Sequence, residues 1–135
     1  MAGYSSTPLW KKLGYKPGLS VYLDNPPGAY FALLSLPPEI SIDWLGKPAR
    51  GVAFVHLFIK EAASLRQKLS KLRMLIASDG VIWVSWPKKS SRVVTDITED
   101  VIRTIDLPLG FVDIKVCAVD EVWSGLKLMI RKTER

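Results

Sequence analysis

The sequence predicts one three-layer α/β domain, built on a mostly parallel sheet of about six strands that ends in an antiparallel hairpin. Three observations predict it. Val52 to Ile59 and Val81 to Trp86 are apolar on both alternations, the mark of parallel strands covered on two faces. Between them, Lys60 to Ile76 carries Leu65, Leu69, Leu72 and Ile76 at helical spacing. Phe111 to Val119 and Leu126 to Arg131 instead alternate apolar with polar residues, as an antiparallel pair with one wetter face does. The length of 135 residues suits one hydrophobic core.

Each element follows in order. Thr7 to Leu13 reads as a short helical turn with Trp10 and Leu13 as its contacts, stopped at Pro17-Gly18. Leu19 to Leu23 is the first strand. Asp24-Asn25-Pro26-Pro27-Gly28 is a turn, because two prolines bar regular pairing. Ala29 to Leu36 is a short helix stopped by Pro37-Pro38, and Glu39 to Asp43 a short second strand. Gly46, Pro48 and Gly51 mark a loop before the third strand, Val52 to Ile59. After the helix of 60–76, Asp79-Gly80 turns the chain into the fourth strand, Val81 to Trp86. Asp96, with Glu99 three residues on, is the expected cap of a helix whose apolar side is Ile97, Val101, Ile102 and Ile105. Asp120 to Gly125 connects the last two strands. Residues 17–132 form the expected core and 1–16 an amino-terminal extension.

Strands alternating with helices imply right-handed crossovers and a Rossmann-like winding, with strand order 2-1-3-4-6-5. That order places a switch between strands 1 and 3, where open α/β sheets hold ligands. The expected mouth is formed by Asp24 to Gly28, Lys60 and Trp86 to Arg92.

Composition narrows the functions. Residues 60–92 hold eight Lys/Arg against two Asp/Glu, while the rest of the chain is nearly balanced, so the net charge of +6 sits in one segment. Such a surplus favours anionic partners. No apolar run approaches the roughly 20 residues that span a bilayer, so no membrane association is expected. The amino terminus lacks a secretory pattern and Cys117 is the only cysteine, which together favour the cytoplasm. One His and one Cys are too few for a metal site. The short second strand and the last hairpin leave edges on which a dimer can form.

The loop Trp86-Pro87-Lys88-Lys89-Ser90-Ser91-Arg92 carries the clearest chemistry. Lys88, Lys89, Ser90, Ser91 and Arg92 offer cations and hydroxyls at a strand's carboxyl end. The next helix is expected to point free N–H groups toward the same edge, as suits a phosphate or carboxylate. Trp86, beside proline, is expected at the rim, where it can stack on a base or sugar. His56, the only histidine, lies inside strand 3 and reads as a core histidine with a satisfied hydrogen bond. No residue presents a catalytic constellation.

The alternation of strands and helices ending in a hairpin, with Asp79-Gly80-Val81-Ile82-Trp83-Val84-Ser85 leading into the fourth strand, resembles a shortened class I methyltransferase sheet. That resemblance implies an S-adenosylmethionine or nucleotide-like cofactor near Asp24, Asn25 and Gly28, with Asp43 after strand 2 holding ribose hydroxyls. The family's glycine-rich loop after strand 1 is replaced here by Asp-Asn-Pro-Pro-Gly. Ile-Trp-Val-Ser-Trp-Pro-Lys at 82–88 and Asp-Glu-Val-Trp-Ser-Gly at 120–125 are similar to a family of small bacterial proteins catalogued only as a domain of unknown function. The expected function is a non-enzymatic or degenerate methyltransferase-like module that binds a small anionic or nucleotide-derived ligand. Two alternatives stand beside it. One is a basic surface, Arg66 to Arg73 with Lys88 to Arg92, that docks RNA or an acidic protein. The other is an S-adenosylmethionine-dependent methyltransferase.

Overall fold

The computed structural model describes residues 7–135. The chain runs through α1 (Leu9–Leu13), β1 (Ser20–Asp24), α2 (Tyr30–Leu34), β2 (Asp43–Leu45) and β3 (Val52–Phe58). It continues through α3 (Ala62–Leu75), β4 (Ile76–Pro87), α4 (Glu99–Asp106), β5 (Phe111–Ala118) and β6 (Trp123–Ile130). The strands form one sheet in the order β2-β1-β3-β4-β6-β5, as the sequence predicts. Val21 of β1 pairs in parallel with Trp44 on one side and Phe54 on the other. Phe58 pairs in parallel with Ser85, and β4 then meets β6 antiparallel, Val84 opposite Leu126.

Two apolar layers cover the sheet. Alternation along β3 sends Val55 and Leu57 into one layer, with Leu65 and Leu69 of α3 and Ile102 of α4. It sends Phe54 and Phe58 into the other, with Leu13, Tyr30 and Leu34. Each Leu or Ile buried in this way contributes about 1.5–3 kcal/mol. The double-sided apolar pattern of strand 3 therefore has a direct cause: both of its faces are core.

Five features differ from the sequence reading, the first being β6, which begins at Trp123 inside the expected 120–125 connection. β2 begins at Asp43 instead of ending there. Ile40 N–H donates to the Pro37 carbonyl at 3.0 Å, so a turn consumes the residues after the two prolines. Pairing starts only where Asp43 N–H reaches the Leu19 carbonyl at 2.9 Å. β4 begins at Ile76, directly after α3, and the expected turn at Asp79-Gly80 is a bulge inside the strand. Val52 pairs with Ile76 but Phe54 pairs with Val81, which leaves 77–80 opposite a single residue. Asp96 does not cap α4. Thr98 does, its Oγ1 accepting from Val101 N–H at 3.2 Å. Finally, the described part of the amino-terminal extension is core: Leu13 and Tyr15 are only 1% and 3% exposed. The Trp83 indole donates to the Leu13 carbonyl at 2.8 Å, which ties α1 to the middle of the sheet.

Candidate functional site

The carboxyl ends of β1, β3 and β4 meet at one edge, and here the expected single mouth is two clefts. The first lies at the switch between β1 and β3 and encloses about 290 Å³. Asn25, Lys60, Glu61, Ser64, Lys68 and Trp123 are among its walls. Its floor is aromatic: Phe58 meets Trp123 edge-on, with ring centroids 5.1 Å apart. The second lies between the end of β4 and α4 and encloses about 430 Å³. Trp86, Lys89, Arg92, Val93, Thr95 and Ile97 line it. The segment 93–97 separates them as a strap, because it is fastened across the edge. Thr95 Oγ1 donates to the Lys60 carbonyl at 2.6 Å, and Asp96 N–H donates to the same carbonyl at 3.2 Å. Asp96 Oδ1 accepts from Ala62 N–H at 2.7 Å, so this carboxylate caps α3.

The switch cleft differs from the expectation residue by residue. Asp24 is engaged in an ion pair with Lys68, and its side chain is 15% exposed. Asn25 bends the chain away with φ of 53°, in the left-handed region that Asn tolerates. Pro26 and Pro27 have no N–H to offer. Gly28 is exposed, with nothing within 4 Å of where a Cβ would be, so no close approach requires glycine there. Asp43 corrects the sequence reading most clearly. It opens β2, exposed, opposite Ser20 at the amino end of β1, which is the wrong edge of the sheet for this mouth. Lys60, Glu61 and Lys68 are the charged residues of this lining, and Lys68 is already paired with Asp24, so an acid stands among the cations here.

The β4–α4 cleft holds the basic loop. Lys88 N–H donates to the Val122 carbonyl at 2.6 Å, which fastens the loop's start. Ser91 Oγ donates to the Lys88 carbonyl at 2.6 Å and accepts from Val93 N–H at 3.2 Å, so this hydroxyl is spent within the turn. Ser90 is exposed. Among the described residues Lys88, Lys89 and Arg92 take part in no ion pair. Trp86 is another correction: it is 8% exposed and packs in the α3–α4 core layer, because its face of β4 is covered by Ile97 and its neighbours. It forms a wall of the cleft and not an open rim. The start of α4 is also less available than expected. Thr98 occupies one N–H, and Glu99 and Asp100 already place negative charge in the first turn.

The predicted basic face of α3 is thinner than its count suggests. Lys68 is paired with Asp24, and Arg73 Nε donates to the Leu109 carbonyl at 2.9 Å with Glu134 3.6 Å away. Arg66 and Lys71 remain exposed.

The sequence reading found His56 but not its partners. Its Nδ1 lies 2.8 Å from Tyr30 Oη and its Nε2 2.7 Å from Ser85 Oγ, while Tyr30 Oη lies 2.6 Å from Tyr15 Oη. The four groups form one buried chain across the α1–α2 layer. Burial lowers the His56 pKa to about 3, so the ring is neutral at ordinary pH. It also stacks on Phe58, with centroids 4.3 Å apart. No substrate-sized space reaches His56, which is wholly buried. It is the satisfied core histidine that its strand position implies.

A mixed six-stranded sheet with this order, two helical layers and a terminal hairpin is the methyltransferase-like Rossmann fold. Solved structures agree. An S-adenosylmethionine-dependent methyltransferase from Aquifex aeolicus matches with a TM-score of 0.61 at 14% identity, over 89% of this chain and 86% of that one. Aeropyrum pernix fibrillarin, solved with natively bound S-adenosyl-L-methionine, matches with a TM-score of 0.56 at 14% identity, over 85% of this chain and 68% of that one. The ribosomal protein L11 methylase from Lactobacillus delbrueckii subsp. bulgaricus matches with a TM-score of 0.55 at 13% identity, over 90% and 74%. Identities this low are likenesses of fold. No protein-family model and no curated protein matches the sequence. Among the described residues no helix is long and apolar enough to cross a membrane, and no group of His, Cys, Asp or Glu can hold a metal ion. The residues at the switch do not fit S-adenosylmethionine in the manner the resemblance implies. The carboxylate after β1 is committed to Lys68, two backbone donors are absent, and the acid of β2 faces the opposite edge.

Proposed function

We propose that the protein is a methyltransferase-shaped module that binds a small anionic ligand and does not itself transfer methyl groups. One observation carries this reading. The β4–α4 cleft is lined by two cations, Lys89 and Arg92, that have no carboxylate partner, and no acid lines it. Its volume, about 430 Å³, falls in the range of pockets that enclose small molecules. The guanidinium of Arg92 and the ammonium of Lys89 would share the anionic group, since charge-assisted hydrogen bonds are about twice as strong as neutral ones.

Titration with inorganic phosphate and with adenosine monophosphate, followed by heteronuclear NMR, tests this reading. Shifts should concentrate at 86–98 and should be lost in a Lys89→Ala, Arg92→Gly double variant. Arg92 sits at φ of 62°, a backbone shape glycine adopts freely, so that substitution removes the charge without strain. Shifts confined to the switch cleft, or none at all, would defeat the proposal. Shared fold favours methyl transfer only at the level of shape. Calorimetry with S-adenosylmethionine checks it separately, and millimolar ligand should give no heat of binding.

A further inference from the structure

We infer that the β4–α4 cleft selects an amphipathic organic anion, one charged head on an apolar body, in preference to a nucleotide; this rests on the anion-binding reading above and narrows it. Both cations of the cleft come from one short turn of the chain. Lys89 and Arg92 come from the turn that follows β4, while the remaining wall is Trp86, Pro87, Val93, Val94 and Ile97 with two threonines. Two cations match one carboxylate, sulfonate or phosphate head, and they leave nothing for a second or third phosphate. Recognition of a base edge needs paired donors and acceptors, as an Asn, Gln or acidic side chain supplies. The cleft lining contains none of these, and among the described residues the Thr95 hydroxyl already donates to the Lys60 carbonyl. The apolar remainder is suited to a hydrocarbon or aromatic body, whose transfer from water would supply most of the affinity.

Two further features point the same way. Val94, which also lines the cleft, is 89% exposed in a segment with no regular structure. An isolated exposed valine is ordinary. Here it stands beside Val93 in the lining of the same cleft, so it adds exposed apolar surface to that wall. The strap is also fixed beneath it, by Thr95 and Asp96 to Lys60 and Ala62. The apolar wall is therefore formed in advance and does not have to be assembled on binding.

The test compares three probes on the full chain: 1-naphthyl phosphate, adenosine monophosphate and inorganic phosphate, with dissociation constants from NMR shifts at 86–98. The naphthyl ester should bind on the order of tenfold more tightly than either of the others, the gain expected from burying one ring face. Arg92→Gly and Lys89→Ala should each weaken it on the order of tenfold, as loss of a charge-assisted contact does. Val93→Ser should weaken the naphthyl ester and leave inorganic phosphate unchanged. Equal affinity for all three probes, with loss on Arg92→Gly, would keep the anion site and overturn the amphipathic preference. Tight naphthyl phosphate binding that ignores both cation variants would overturn the location. No binding of any probe would overturn both readings. A Val93→Ser chain with an unchanged thermal transition ensures that a lost signal is read as lost contact.

Discussion

His56 and Asp106 are buried groups whose shifted titrations fall in the acid-to-neutral range, and they oppose each other. His56 is wholly buried within the Tyr15–Tyr30–His56–Ser85 chain, and burial holds its pKa at about 3 against 6.5 in an exposed ring. Its folded pKa is lowered, so the stability it contributes is complete above pH 6.5 and falls as pH drops toward 3. Asp106 is the reverse. It is wholly buried at the end of α4, and neither carboxylate oxygen has a hydrogen-bond partner. Burial, reinforced by Asp113 and only partly offset by Arg103, the nearby Leu107 N–H and Arg131, raises its pKa from 3.8 to about 7. Its folded pKa is raised, so the stability it contributes is complete below pH 4 and is lost as pH climbs to 7. One proton of difference changes stability by about 1.4 kcal/mol per pH unit, so the two slopes nearly cancel between pH 4 and pH 6.5. The wild-type chain should therefore show an almost flat urea midpoint across that window. Asp106→Asn should uncover the histidine slope, gaining stability as pH rises, and should exceed the wild type by a few kcal/mol at pH 8. A variant whose midpoint stays flat would refute the opposition. Tyr30→Phe tests the chain itself. It strips His56 Nδ1 and the Tyr15 hydroxyl of their shared partner and should cost about 1–3 kcal/mol at pH 7, read from the same urea transitions.

At the scale of elements, what the sequence made legible was periodicity, and what it hid was contact between distant segments. The double-sided strands, the leucine stripe of α3 and the alternating hairpin each carry their own pattern, so the sheet order 2-1-3-4-6-5 could be read correctly. Asp96 could not. Its spacing to Glu99 is a proper capping signature, yet its carboxylate caps α3, thirty-four residues earlier in the chain, because the strap folds back over the edge. Asp43 was misplaced for a similar reason: the turn after Pro37-Pro38 moved the start of β2 by four residues and carried the acid to the other edge. Asp79-Gly80 shows the same ambiguity between a turn and a bulge, since both use glycine. In this fold Gly80 is the residue that permits the bulge, because a Cβ there would lie 2.7 Å from Ile76 Cγ1 and 3.0 Å from the Ala77 carbonyl oxygen. Gly80→Ala should thus destabilise the protein by about 1–3 kcal/mol, as overpacking does, and a thermal melt checks it. A neutral substitution would mean that Ile76 and the bulge relax together.

The amino-terminal segment decides whether the whole molecule is one cooperative unit. By sequence, residues 1–16 are an extension to a core at 17–132, because their short helical turn stops at Pro17-Gly18. In the fold the described part of this segment, from residue 7 on, packs against one face of the sheet. Leu13 and Tyr15 are buried with Phe54, Tyr30 and Trp83, and Tyr15 packs on Phe54 with ring centroids 4.5 Å apart. The segment also closes two buried polar accounts: the Trp83 indole N–H on the Leu13 carbonyl, and the Tyr30 hydroxyl on that of Tyr15. Removing 1–16 would leave the Trp83 indole unpaired and Tyr30 with His56 alone, and would expose the α1 side of the sheet to water. Two lost hydrogen bonds at about 1–3 kcal/mol each, with two large buried side chains at about 1.5–3 kcal/mol each, approach the roughly 5–15 kcal/mol that holds a domain of this kind together. A chain starting at Pro17 should therefore lose its sharp thermal transition and its dispersed amide spectrum while keeping much of its far-ultraviolet circular dichroism. A double variant, Leu13→Ala with Tyr15→Phe, should melt earlier but still cooperatively, since α1 remains to cover the sheet. If the shortened chain melts as sharply as the full one, the α1 layer is an appendage, and the α3–α4 layer alone sustains the fold.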